Sequence, residues 1–214
     1  VDEARFILVR HGETEWNREG RIQGYHADSP LTATGQTQAR RLAERLAAEG
    51  VRGLHSSDSG RARQTAAPIA AAAGLEVLYD AALRERNYGV FEGRTYKEIE
   101  LEFPEAYLKF RSRDPDYAPP GGESGAQFRD RIVAALERLA DGTPGRCAVV
   151  VTHGGVLGIA YRHVTGVRLD SKRDYSLHNA SINRIAYSDG RWSLEAWGDV
   201  AHLPAESIEG TDKP

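Results

Sequence analysis

Apolar positions along the chain fall into two kinds of pattern. Phe6 to Val9 ("FILV") and Cys147 to Thr152 ("CAVVVT") are short continuous apolar runs, as expected of strands covered on both faces in an α/β sheet. "VRGLHSS" and "LEVLYD" predict two more strands, and "SINRIAYSDGRWSLEAW" predicts a hairpin turning at Asp189 and Gly190. Other segments repeat with helical spacing. Ala39, Leu42, Ala43, Leu46 and Ala47 mark one amphipathic helix, with Thr32 or Thr34 as its cap and Gly50 as its stop. "DSGRARQTAAPIAAAAG" predicts an alanine-rich helix ending at Gly74, Phe128, Ile132, Leu136 and Leu139 mark another, and a further helix runs through Tyr161.

Strands alternating with helices imply a three-layer α/β/α fold around a mostly parallel, doubly wound sheet. Residues 83–122 break the pattern. They predict short helices interrupted at Pro104 and a loop, "DPDYAPPGGES", forming an insertion over the sheet. With no repeat, low-complexity tract or linker, residues 1–214 are expected to form one domain, with a polar tail fraying after Trp197.

Composition narrows the function without naming it. The net charge of −3 offers no basic excess for a nucleic-acid backbone, so any anion site must be local. No apolar run approaches the ~20 residues of a membrane span, and the start of the chain is acidic, so a cytoplasmic protein is expected. Cys147 is the single cysteine; its apolar run argues for a buried small hydrophobe and against a nucleophile. Of 28 basic residues 24 are arginine, so each arginine has to be argued from its neighbours.

Chemistry concentrates where the two covered strands end. Arg10 and His11 precede Gly12, which lets the chain turn away, and His153 precedes Gly154 and Gly155. In open α/β sheets ligands bind at the carboxyl ends of strands, and two neighbouring parallel strands would bring both imidazoles to one edge. The histidines lack zinc-type spacing, and an adjacent arginine repels a cation. An anion fits better. Arg10 and Arg61 supply planar donor forks suited to phosphate, and Arg61 lies at a strand-to-helix junction. His26, His55, His163, His178 and His202 have no matched partner and are assigned to surface or structural roles.

"LVRHGETEWN", "SSDSGRARQTA", "LRERNYGVFEG" and "VTHGG", in this order, resemble the histidine phosphatase superfamily, also called the phosphoglycerate mutase-like family, over Phe6 to about Trp197. That resemblance implies the corresponding α/β/α fold and a set of roles. His11 would be the nucleophile, forming a phosphohistidine. Arg10, Arg61 and His153 would hold the equatorial phosphate oxygens. Glu85 would protonate the departing alkoxide and then activate water, which needs a carboxyl carrying its proton before transfer. Asn17, Gln23, Gly24 and the backbone of Gly154 match phosphate or substrate contacts. Glu123 and Ser124 match a segment lining the site, although a helix cap explains them equally well.

The family includes hydrolases and mutases, which differ in whether water or a second hydroxyl takes the phosphoryl group. Where mutases carry a lysine after the acid, this chain has Tyr96, with Lys97 one place on. Where they carry adjacent arginines, Arg111 and Arg113 are separated. The expectation is a phosphomonoesterase acting on a small phosphorylated metabolite, with no metal and no cofactor, as a monomer or homodimer. A mutase dependent on 2,3-bisphosphoglycerate is the alternative, although "ERNYG" resembles the mutase version of its motif. A non-catalytic phospho-ligand module would be expected to lose His11 or Glu85, and ranks last.

Overall fold

The two covered runs become neighbours in space. In the computed structural model, which describes residues 3–208, β1 (Ala4–Arg10) pairs in parallel with β4 (Cys147–Thr152), Arg10 opposite Thr152. Beyond β4 lie β2 (Gly53–Ser56) and β3 (Val77–Tyr79), also parallel. On the other side of β1, β5 (Ile182–Ser188) and β6 (Arg191–Asp199) are antiparallel. Asp189 and Gly190, at φ 52° and 75°, make the tight hairpin turn between them. The six strands run in the order β3, β2, β4, β1, β5, β6.

Alternation within each covered run explains why it is apolar throughout. Phe6, Leu8, Ala148 and Val150 face α6 (Gly125–Gly142) and α7 (Gly154–Thr165). Ile7, Val9, Val149 and Val151 face α2 (Ala33–Leu46) and α3 (Gly60–Ala73) on the opposite side. Each fully buried side chain of this kind contributes about 1.5–3 kcal/mol, so neither face tolerates a polar position.

Three details differ from the sequence-based expectation. Thr32 caps α2 by accepting the Gly35 N–H at 3.0 Å, but the helix ends at Leu46, before Gly50. The loop after β1 contains a short helix, α1 (Glu15–Glu19). The tail expected to fray is packed as far as it is described: β6 continues to Asp199, Leu203 is buried, and Gln38 Nε2 donates to the Ser207 carbonyl at 2.8 Å. Residues 209–214 of that tail lie outside the described residues.

The interrupted block forms α4 (Tyr96–Glu102) and α5 (Pro104–Arg111), with Pro104 at the first position of α5, where its missing N–H costs nothing. Ile99, Phe103, Tyr107 and Phe110 close on Phe91 and Ile22 as a small separate core. Among the described residues no helix is long and apolar enough to cross a membrane.

Candidate active site

The site grows from the paired ends of β1 and β4. His11 donates its backbone N–H to the Thr152 carbonyl at 2.9 Å, and its ring Nδ1 lies 2.8 Å from the Gly12 carbonyl. A carbonyl only accepts, so Nδ1 carries the hydrogen and Nε2 keeps its lone pair. Gly12 does not have a positive φ. Its requirement is close approach: a Cβ there would sit 2.5 Å from the Gly35 carbonyl of α2.

His153 stands beside it, fully buried, with the two ring centroids 5.3 Å apart. Its Nε2 lies 2.8 Å from Ser57 Oγ and 3.3 Å from Ser59 Oγ. We assign Ser57 as donor to Nε2, which leaves the hydrogen on Nδ1, a buried atom with no partner among the described residues. Burial, then the positive charges of Arg61 and Arg10, hold His11 well below the ordinary histidine range; burial, Arg61 and His11 do the same for His153. Burial among these positive charges thus favours the neutral form of both rings.

Arg61 is almost wholly buried near the start of α3. Its guanidinium donates to Asp28 Oδ1 at 2.8 Å, to the Gly24 carbonyl at 3.2 Å and to the Ala27 carbonyl at 3.3 Å, while its Nε has no partner among the described residues. Arg10 is steered by a bond from Nη1 to the Leu177 carbonyl. Two guanidinium groups beside two neutral imidazoles, with α7 starting at Gly154, make a strongly anion-seeking pocket.

Glu85 lines the same cleft, and each of its oxygens is fixed by one backbone donor. Oε1 accepts from the Arg86 N–H and Oε2 from the Gly155 N–H, both at 2.8 Å. A side chain at Gly155 would collide with that carboxylate. The loop bearing Glu85 is held by Arg131 of α6, which donates to the carbonyls of Ala82 and Arg84 at 2.9 Å and of Glu85 at 3.2 Å. Glu123 pairs with Arg131 and accepts the Asn87 N–H at 2.9 Å.

A cleft of about 470 Å³ gathers Arg10, His11, Asn17, Gln23, Arg61, Glu85 and Gly154. His153 adjoins this lining through His11, and Gly24, Glu123 and Ser124 are outside it. Ser124 caps α6, exchanging bonds with Gln127, and Glu123 braces the Glu85 loop; their sequence assignment as lining residues gives way to these roles. Gly24 acts through its carbonyl on Arg61. Gln23 has both ends engaged, with Thr14 at 2.7 Å and Ser29 at 2.9 Å. The Asn17 carbonyl oxygen accepts from Thr14 and Asn179, which leaves its amide hydrogens for the cleft.

Sequence reasoning missed Glu92, whose carboxylate accepts four backbone N–H groups, from Tyr25, His26, Ala27 and Tyr88, at 2.7–3.2 Å. It also missed Arg162 and Arg173 in the cleft wall, for which an arginine-rich chain gives no local signal.

The sequence model of the histidine phosphatase superfamily (branch 1) matches residues 6–200. The chain belongs to that superfamily. It is 44% identical over 207 residues to phosphoglycerate mutase-like protein 4 of Arabidopsis thaliana, covering 95% of this chain and 88% of that one. Among solved structures, Bacillus stearothermophilus YhfR superposes with a TM-score of 0.88 at 34% identity, covering 94% of this chain and all of that one. An α-ribazole phosphatase from Shigella flexneri superposes with a TM-score of 0.84 at 26% identity, covering 93% and 97%. A phosphoglycerate mutase from Bacillus anthracis also superposes, with a TM-score of 0.79 at 27% identity, covering 99% and 98%, so phosphatases and mutases alike share the α/β/α fold described above.

Proposed function

We propose that this superfamily member is a phosphomonoesterase that cleaves a small phosphorylated metabolite through a phosphohistidine at His11. The observation that carries this is the lone pair on His11 Nε2, set by the Nδ1 bond to Gly12, in one cleft with Arg10, Arg61 and a backbone-anchored Glu85. In the first step Nε2 attacks phosphorus, the bond to the ester oxygen breaks, and the leaving alkoxide takes the proton of the Glu85 carboxyl. Arg10, Arg61 and the His153 Nδ1–H stabilise charge on the equatorial oxygens. In the second step Glu85, now ionised, takes a proton from water as that water's oxygen attacks phosphorus and the N–P bond breaks. Inorganic phosphate leaves and His11 is restored.

No step draws on a metal, since two guanidinium groups supply the charge that neutralises the phosphoryl oxygens. A cytoplasmic location accords with the single cysteine. One observation favours the mutase alternative: Arg113, from the segment that carries arginines in mutases, lines the cleft with Tyr96.

The test is phosphate release from a panel of monoesters after exhaustive chelation. Conversion of 3-phosphoglycerate to 2-phosphoglycerate is followed in parallel, with and without 2,3-bisphosphoglycerate. Hydrolysis that survives chelation, is abolished in His11→Ala and proceeds through an acid-labile phosphoenzyme is expected. Cofactor-stimulated conversion with little phosphate release would make it a mutase, and strict metal dependence would overturn the mechanism.

A further inference from the structure

Two costly features stand side by side just before β5. Ala180 has a φ of 56°, in the left-handed region that a residue with a side chain rarely adopts, and it is fully buried. Its neighbour Asn179 is buried too, with Oδ1 left without a partner among the described residues. A left-handed alanine and an unsatisfied buried oxygen both oppose folding, so packing alone does not account for them.

The bonds that this pair makes run to the site. The turn is closed by the Ser181 N–H, which donates to the His178 carbonyl at 3.2 Å. It aims the Ala180 N–H at the carbonyls of Arg10, at 3.0 Å, and His11, at 3.3 Å. Asn179 Nδ2 donates to the same His11 carbonyl at 2.9 Å and to Asn17 Oδ1 at 3.2 Å. The donor end of the Asn179 amide is thus fully used, while its acceptor end is idle.

Asn17 carries the effect into the cleft. Its Oδ1 also accepts from the Thr14 N–H at 3.1 Å and from Thr14 Oγ1 at 3.0 Å, so three donors converge on one oxygen. An amide turned the other way would set its NH₂ against all three, and the network therefore fixes its orientation. Nδ2 points away from Thr14 and Asn179, and Asn17 lines the cleft with Arg10 and His11. Thr14 and Asn17 belong to one cap, that of α1. Asn179 is the side chain that registers this cap against the backbone of His11.

We propose that Asn179 is a positioning residue: by bridging the His11 carbonyl and Asn17 Oδ1, it holds the Asn17 NH₂ towards the phosphoryl oxygens seated beside His11. It acts through Asn17 and touches no reacting atom. The place of the phosphate rests on the function proposed above.

Orthovanadate, whose five-coordinate form resembles a phosphoryl group in transfer, is the probe. Its affinity is read by calorimetry in the native protein, Asn179→Ala, Asn17→Ala and the double variant, each checked for folding by its urea transition. Loss of Asn179 should weaken orthovanadate about tenfold, the value of one contact to a charged group. Asn17→Ala should weaken it at least as much, and adding Asn179→Ala to that variant should cost little more, because both remove the same contact. A structural role independent of Asn17 would instead multiply the two losses. Unchanged affinity in folded Asn179→Ala, or losses that multiply, overturns the proposal. Asn179→Ser, too short to span to Asn17, takes its place in the cycle if the alanine variant does not fold.

The native protein supplies a check free of any change at 179. The nuclear magnetic resonance signal of the Asn17 side-chain amide, identified by its loss in Asn17→Ala, should shift when orthovanadate is added; a signal that stays still overturns the proposal. Phosphate release from 4-nitrophenyl phosphate is measured alongside. Turnover without coupling between the two asparagines removes the role of Asn179 alone. Coupling without turnover upholds that role and removes the phosphomonoesterase function.

Discussion

Replacing Glu85 by glutamine separates the two jobs its carboxyl is given. Each oxygen serves a different backbone donor, Arg86 N–H and Gly155 N–H. A carboxamide has one oxygen, so one of these N–H groups loses its acceptor and faces an NH₂. At a position only 9% exposed, that costs about 1–3 kcal/mol of folding stability, a modest fall in urea midpoint. The chemical loss should be larger and depend on the leaving group. An alkoxide needs the proton, so the first turnover of glycerol 3-phosphate should slow by about 10²–10⁴-fold. Nitrophenolate departs unaided, so 4-nitrophenyl phosphate should still give a rapid burst of one nitrophenol per enzyme. Deacylation-like hydrolysis of the phosphohistidine then stalls, since no base activates water, and phosphoenzyme accumulates. Rapid-quench measurement of the burst with both esters is the assay. Equal loss of the first turnover with alkyl and aryl esters would refute the proton-donor role, and a burst followed by undiminished steady turnover would refute the base role.

Because His11 and His153 are held neutral in the folded protein, the unfolded chain binds their protons first as pH falls. Stability should therefore decline below about pH 6.5, with a slope approaching about 1.4 kcal/mol per pH unit for each ring. Urea midpoints measured from pH 7 to 5 check this, and His153→Asn should flatten the slope; a flat native profile would contradict it. Glu123→Gln weakens the brace on the Glu85 loop through Arg131, and should cost about 1–3 kcal/mol and lower kcat more than it changes KM, as denaturation and steady-state kinetics would show. Asp28→Asn removes the counter-charge of buried Arg61 at a cost of about 2 kcal/mol. Inorganic phosphate should raise the melting temperature of this variant by more than it raises that of the native chain, since it supplies the missing charge.

What the sequence made legible was whatever depended on local pattern. Strand-end histidines before glycine were visible because a covered strand is continuously apolar and its end is abrupt, and the parallel pairing of β1 with β4 then brought His11 and His153 together. Glu123 was read either as a lining residue or as part of a helix cap, because its motif both borders the site and precedes α6. Only the return of α6 past the Glu85 loop brings Arg131 between them and turns Glu123 into a brace. Arg162 and Arg173 carried no local signal, since position in the cleft comes from how α7 and the following segment pack. Gly12 was read as the point where the chain turns away, whereas what demands glycine there is the closeness of α2.

The four N–H groups gathered by Glu92 tie residues 25–27 to Tyr88, at the threshold of the helical block. The same short stretch supplies the carbonyls of Gly24 and Ala27 and the Asp28 carboxylate that hold Arg61. The helical block and the support of Arg61 are thus joined through a single carboxylate. A protein engineer who transplants residues 88–122 from a relative would have to bring along a carboxylate at 92, or loosen the segment that positions Arg61.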